Sequence, residues 1–247
     1  MKKTILTITA AAASLALLPA QAQQTTTAQG LLDDLSLTAV LDFESEYVFR
    51  GQKLAGESFQ PSVEAGLPIG MGDAYAGIWS SQSIDGTPDN EVNFYGGFAL
   101  PLDEVFSLDV GGTYYYYPDK GATPNREKEI YVGGAADVML NPSLYVFYNF
   151  SLEQLLFEGA IGHSFMLTEF SAFEVGAFVG SGNAKDANSD QAPGKPSNGF
   201  WYFGGTADLV YALNEISAAS VGVRYSNLQD GPTKENIWWG ASLSFGF

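Results

Sequence analysis

The chain has 247 residues, 28 acidic against 11 basic, for a formal charge of −17, and phosphate contacts need clustered Lys and Arg, so this balance argues against a nucleic-acid partner. Aromatic residues make up 14% and there are 28 glycines, but mean hydropathy is only +0.01 and cysteine is absent. A bundle of membrane helices and a disulfide framework are both excluded.

The first predicted element is an export signal. Lys2 and Lys3 precede an apolar run from Ile5 to Leu18, and Ala20-Gln21-Ala22 has the small-x-small form of a signal-peptidase site. Residues 1–22 are therefore expected to be a cleaved signal peptide, and the polar stretch 23–34 (QQTTTAQGLLDD) a periplasmic leader. Residues 35–247 are expected to form the folded unit.

From residue 35 onward, apolar and polar residues alternate with the period-2 pattern of strands, interrupted by turn-rich breaks. The predicted strands are 35–50, 59–67, 74–81, 91–100, 106–117, 128–139, 144–150, 154–164, 170–180, 200–212, 215–226 and 236–247. In the first, Leu41, Phe43, Tyr47 and Phe49 alternate with Asp42, Glu44, Glu46 and Arg50. The apolar face continues through Val92, Phe94, Leu108, Val110, Ile130, Val132, Phe157, Leu209, Val221 and Val223, and no charged side chain falls on it. A Lys or Arg at a bilayer midplane costs roughly 2–4 kcal/mol, so this exclusion is what lipid imposes. Aromatics gather at the strand ends: Phe49, Phe59, Trp79, Tyr116, Trp201, Tyr225 and Trp239 at one end, Tyr75, Phe98, Phe106, Tyr211 and Phe245 at the other. Two such belts suit two membrane interfaces.

The breaks alternate too. LPIGMGD, LPLDEV, LNPS and LNE are short, whereas GQKLAGES, QSIDGTPDN, PDKGATPNRE, the stretch 180–198 and SNLQDGPTKE are longer and more polar; FSLE and FMLTE are two short exceptions that leave the register uninterrupted. The expected fold is an all-β, antiparallel transmembrane barrel of about twelve strands, with both termini on the short-turn, periplasmic side. Its last strand, NIWWGASLSFGF, presents Trp239, Leu243, Phe245 and Phe247 on the apolar face. This resembles the C-terminal signal by which outer-membrane barrels reach the barrel assembly machinery. Expected partners are outer-membrane lipid, that machinery, and small hydrophilic solutes or cations.

The opposite face is acidic. The candidate pore-lining residues are Asp42, Glu44, Glu46, Arg50, Glu64, Glu91, Asp109, Asp137, Glu158, Glu174, Asp208 and Arg224. In a wet lumen with low-dielectric walls such a set concentrates cations. Closing the first hairpin over GQKLAGES so that Phe49 faces Phe59 sets Glu44 opposite Glu64, a like-charge pair that needs a basic side chain, a cation or a proton. Arg50 is expected in the outer mouth, held by Glu46, Glu64 or a loop carboxylate, with Lys128 at a strand edge. The wall is either a cation-preferring constriction or a polar network that plugs the barrel. Twelve strands lie between the filled eight-stranded barrels and the open sixteen-stranded ones. Inward Tyr95, Tyr115, Tyr117, Tyr131, Tyr145, Tyr202 and Trp238 serve as lumen filler or as a stacking track for a sugar or aromatic solute.

Catalysis is not expected. The only histidine, His163, is adjacent to Ser164, and neighbours on a strand point to opposite faces, so they cannot form a nucleophile and base pair. The carboxylates of 85–91 and 185–191 lack the spacing of a calcium loop, and no His pair is present for zinc. Neither a metal nor a cofactor is expected.

SEYVFRG at 45–51, QPSVEAGLP from Gln60 and YAGIWSS at 75–81 resemble the TorF-type porins, an uncharacterised set of exported bacterial barrels. The matching positions are Ser45, Tyr47, Val48, Phe49, Arg50 and Gly51, then Pro61, Gly77 and Trp79. The resemblance implies an outer-membrane location and a channel, without naming a solute. The function expected is a porin-like channel for passive diffusion of small hydrophilic solutes with cation preference; the alternative is a closed barrel with a structural or extracellular-loop binding role.

Overall fold

The computed structural model describes residues 34–86, 89–119, 125–183, 199–229 and 235–247. The expected signal peptide, the leader up to residue 33 and the acidic stretch 185–191 lie outside them. Among the described residues fourteen strands follow one another: β1 (Ser36–Glu44), β2 (Tyr47–Phe49), β3 (Gln52–Ala55), β4 (Ser58–Ile69), β5 (Gly72–Ser83), β6 (Glu91–Pro101), β7 (Phe106–Tyr116), β8 (Arg126–Ala136), β9 (Ser143–Asn149), β10 (Gln154–Met166), β11 (Ser171–Asn183), β12 (Phe200–Ala212), β13 (Ser217–Leu228) and β14 (Glu235–Gly246).

Strands β1 and β4–β14 form a closed antiparallel barrel, each paired with its neighbour in sequence, and β1 closes the ring against β14. Closure leaves no unpaired edge, which a strand crossing lipid requires. The register stacks apolar residues across strands on the outside, as in Leu41 opposite Leu243, Val110 opposite Val132 and Leu209 opposite Val221. Among the described strand residues, Lys, Arg, Asp and Glu reach this outer face only at Arg126, Lys128 and Glu235, all next to the long loops. Lys128 thus points outward and takes no part in the lumen.

Turns at one end are short and locally satisfied. Asp103 Oδ1 accepts the backbone N–H groups of Val105 and Phe106, each at 2.7 Å, and these bonds hold its carboxyl below the usual carboxylate range. Asn214 Oδ1 does the same for Ile216 N–H at 2.9 Å, and Thr168 Oγ1 for Phe170 N–H at 3.2 Å. Both ends of the barrel sequence meet here, with Leu37 and Phe247 exchanging backbone bonds at 3.1 and 2.8 Å.

Inside the wall, tyrosines lie flat over glycines of the adjacent strand. A Cβ on Gly77 would collide with the ring of Tyr95, on Gly111 with Tyr131, on Gly133 with Tyr145 and on Gly180 with Tyr202. The rings pave the wall in the way aromatics cover strand glycines elsewhere.

The structure corrects four expectations. First, β1 ends at Glu44; the chain bends at Ser45 and Glu46, and β2 pairs with β3 in a separate two-stranded sheet. Tyr47 and Phe49 therefore never meet lipid: with Val48 they are three consecutive buried residues, which a strand with one exposed face cannot supply. Second, Trp79 and Tyr75 share the inward parity of β5 while Ala76 and Ile78 face out; inside the barrel Trp79 packs on Tyr47, and the Tyr75 hydroxyl bonds to Asp109. Third, Glu44 faces Ser58, and Glu64 faces Thr38; a hairpin inserted between β1 and β4 moves the register away from the expected carboxylate pair. Fourth, Asp137 lies beyond the end of β8, exposed in a short turn, and lines nothing.

Placing a cation on the outer belt tests the lipid face. Val132→Arg is expected to weaken folding into vesicles by about 2–4 kcal/mol relative to Val132→Ala. Equal folding midpoints for the two variants in a urea titration would show that this face does not meet hydrocarbon.

Candidate functional site

The hairpin 45–57 folds into the barrel. Its turn is Phe49-Arg50-Gly51-Gln52, with φ +48° at Arg50 and +80° at Gly51, and Phe49 pairs with Gln52. Positive φ at both central residues is the type I′ geometry that matches strand twist in a two-residue hairpin. Gly51 is needed twice over. A Cβ there would stand 2.7 Å from Tyr202 Cβ and 3.1 Å from Leu228 Cβ, in a backbone conformation that other residues resist. Asn236 Nδ2 donates to Gly51 O at 3.2 Å, so the tip is pressed against the wall formed by β12–β14.

The rest of the hairpin leans on the opposite wall. Tyr47 donates to Glu91 Oε2 at 2.9 Å and its ring centre lies 5.5 Å from that of Trp79. Asn93 holds the other oxygen of Glu91 at 2.8 Å, and Phe49 packs on Tyr115 at 6.3 Å between ring centres. Lys53 pairs with Glu46 at 2.6 Å within the hairpin. The hairpin thus bridges the lumen in its long-loop half, between one buried cluster of Tyr47, Phe49, Ala55, Tyr115 and Tyr117 and another of Tyr131, Tyr145, Phe147, Leu156, Phe200, Tyr202 and Leu228.

Two arginines hold the interior charges. Arg50 donates through both terminal nitrogens to Glu129, at 2.8 and 2.9 Å, and Tyr115 donates to the same carboxylate at 2.9 Å. Nearby, Tyr202 donates to Glu158 Oε2 at 2.5 Å. Arg224 pairs with Asp208 at 2.7 Å and, through Nε, with Glu44 at 3.3 Å; Asp42 is buried on the same strand face as Glu44. A third group forms without any cation: Asp109 accepts from Tyr75 at 2.8 Å and Tyr145 at 3.3 Å, while the Tyr75 and Tyr131 hydroxyls are hydrogen-bonded to each other at 2.6 Å.

The expected partners of Arg50 were Glu46, Glu64 or a loop carboxylate. Its bidentate partner is Glu129 on β8, a strand carboxylate 79 positions further along the chain. Arg50 lies inside the lumen because the turn that carries it points inward. Glu46 is taken by Lys53, and Glu64 stands lower in the barrel beside Tyr95. Glu129 takes the inward position that alternation gives it, whereas Phe147 and the inward placement of Tyr47 and Phe49 are what sequence reasoning missed; the signal available was the Arg-Gly step inside an alternating run with thirteen residues, 45–57, to close a hairpin. Asp42, Glu44, Glu64, Glu91, Asp109, Glu158, Glu174, Asp208 and Arg224 all take inward positions on their strands. The aromatics Tyr115, Tyr117, Tyr131, Tyr145, Tyr202 and Trp238 are buried inside as well.

Toward the short turns the lumen changes character. Inward positions there carry small residues such as Ala99, Ala135, Ala160, Gly162, Ser220, Ser242 and Ser244, which stay partly accessible. The charges among them are Glu64, Asp73, Asp109, Glu174 and Asp208, and among the described residues no Lys or Arg occupies an inward position in that half. His163 and Ser164 point to opposite faces; His163 Nδ1 lies 2.7 Å from Met139 O, and Ser164 Oγ lies 3.5 Å from Glu174. Among the described residues no group of three or more His, Cys, Asp or Glu is arranged to hold a metal.

A closed twelve-stranded barrel, apolar outside and polar within, with short turns at one end and longer loops at the other, is the architecture of outer-membrane β-barrels. The chain belongs to the family described as a bacterial protein of unknown function (Gcw_chp), whose model matches residues 29–172. Among solved structures it is similar to the KdgM porin, with a TM-score of 0.51 and 11% identity over 86% of this chain and 99% of that one. The NanC porin gives 0.52 and 13% over 85% and 98%, and an outer membrane channel from Pseudomonas putida F1 gives 0.50 and 8% over 86% and 95%. These identities make the likeness one of fold. No curated protein sequence matches the chain.

The turn geometry makes Gly51 a sensitive position. Gly51→Ala is expected to loosen the hairpin by about 1–2 kcal/mol from backbone conformation alone. Amides of residues 47–55 should then exchange at least about tenfold faster while β7 and β8 keep their protection. Uniform loss of protection around the barrel would contradict a local role.

Proposed function

We propose that the protein is an outer-membrane channel of the porin type, passing small hydrophilic solutes by diffusion with a preference for cations, and that the inward hairpin restricts it. The observation that carries this reading is the charge of the lumen. Two inward arginines are each tied to carboxylates, and the short-turn half adds Glu64, Asp109 and Glu174 with no basic side chain described opposite them. In a narrow, low-dielectric passage such an excess raises the local concentration of cations and repels anions. The protein supplies a wet passage and a field, and no chemistry.

The reading extends to the cell. The signal at 1–22 would direct export, both termini would lie on the periplasmic side, and the exposed face of Trp239, Leu243 and Phe247, with Phe245 between them, would be offered to the barrel assembly machinery. The resemblance to TorF-type porins supports the same assignment, and its most specific wording, SEYVFRG, coincides with the hairpin that enters the lumen. The packing of that hairpin favours a second reading, a barrel closed at rest whose extracellular loops do the work.

Planar-bilayer recordings of the refolded full chain under a KCl gradient separate the two. Small discrete steps with a cation-selective reversal potential are expected, and larger steps once 46–56 is replaced by a short Gly-Ser turn. The triple variant Glu64→Gln, Asp109→Asn, Glu174→Gln should move the reversal potential toward zero with steps retained. Silence from both the natural chain and the shortened one would establish the closed barrel.

A further inference from the structure

Arg50 is held as a receptor holds a ligand. Its fork meets both oxygens of Glu129, Nη1 to Oε2 and Nη2 to Oε1, and the guanidinium plane is enclosed by two rings, its Cζ 4.8 Å from the centre of Phe49 and 4.7 Å from that of Phe147. Tyr115 donates to Glu129 and fixes the carboxylate that receives the fork. Glu129, Tyr115 and Phe147 all belong to the barrel wall, whereas Arg50 and Phe49 arrive on the hairpin. The wall therefore keeps a carboxylate, its positioning hydroxyl and an aromatic face even when the hairpin is withdrawn. Planar bidentate pairing beside a ring selects a guanidinium over an ammonium of equal charge.

We propose that Glu129, Tyr115 and Phe147 form a guanidinium-binding site in the barrel wall, that Arg50 occupies it as a tethered ligand, and that solutes bearing a free guanidinium compete for it and release the hairpin. The inference rests on the channel reading only for the step in which release opens the lumen. A ligand on a short tether acts at an effective concentration in the millimolar range, so a free competitor must be present at about that level or above. Two features help it. Glu64, Asp109 and Glu174 lie on the approach from the short-turn side and concentrate cations there, and the hairpin is joined to the wall by single bonds such as Tyr47 to Glu91 and Asn236 to Gly51, while Ser45 and Glu57 bond Trp239 and Ile84 at its base. Exchange proceeds through spontaneous excursions of the hairpin, because the occupied site is buried.

The test uses the folded full chain in detergent, natural and R50A, titrated with methylguanidinium or methylammonium chloride at constant ionic strength. In R50A the vacated site should bind methylguanidinium saturably, read as a rise in unfolding midpoint, with half-saturation at least about tenfold lower than for methylammonium. R50A/E129Q should lose that distinction. The natural chain should show no saturable rise over the range that saturates R50A, since its own arginine fills the site. Should R50A fail to fold, R50K, which keeps the charge and lacks the fork, undergoes the same comparison. Equal response to the two cations, or persistence of the distinction in R50A/E129Q, overturns the site. In bilayers, methylguanidinium but not methylammonium should increase the conductance of the natural chain. Binding to R50A with unchanged conductance of the natural chain, where R50A itself conducts, overturns the competition. Binding to R50A with no conductance from any variant overturns the channel reading and leaves the site standing.

Discussion

A buried ion pair between a hairpin and the wall around it, Arg50 with Glu129, organises the interior of this barrel. Removing two charges from water costs several kcal/mol per ion, and a pair of this kind persists only where geometry and further bonds offset that cost. Here the offset is visible: a bidentate fork, two rings against the guanidinium, and a tyrosine hydroxyl on the carboxylate. Removing either partner leaves the other charge buried without this pairing. The position of the whole hairpin, from Tyr47 on one wall to Gly51 on the other, is consistent with that single requirement.

The barrel frame answers a different constraint, that every backbone polar group within hydrocarbon be paired. The twelve-stranded ladder meets it by closing on itself, and the outer face meets lipid with Val, Leu, Ile, Phe and Trp. Inside, the same strands carry glycines under tyrosine rings, so the wall is paved at some positions and left small at others. The two halves of the lumen differ accordingly, filled near the long loops and lined with small and acidic side chains near the short turns.

Such a frame can be specified by alternation alone, which many sequences satisfy. Identities of 8–13% with other barrels over nearly the whole chain are the expected consequence. What distinguishes such barrels is the set of side chains on the inner face, which in this protein includes small, acidic and aromatic residues and two arginines paired with carboxylates.

Alternation along the chain, with the absence of charge on one face, was enough to determine the all-β class, the antiparallel closed barrel of twelve strands and the inward positions of Asp42, Glu44, Glu64, Glu91, Asp109, Glu158, Glu174, Asp208 and Arg224, because period 2 assigns each residue a face irrespective of its partners. Parity misled where a strand ended without losing its rhythm: Tyr47 and Phe49 continue the alternation of β1, yet the bend at Ser45 and Glu46 turns them inward. Trp79 and Tyr75, within β5, were also misplaced, since an aromatic residue suits a membrane belt and a filled lumen equally well; Trp79 meets Tyr47 of the hairpin inside the barrel, and Tyr75 meets Asp109 and Tyr131. The tertiary structure alone decided that Arg50 meets Glu129, that Glu44 turns to Arg224, and that the lumen is bridged. Those contacts join residues far apart in the chain, 79 positions in the first case, and no local pattern encodes which of several equivalent inward carboxylates a folded-in arginine will reach.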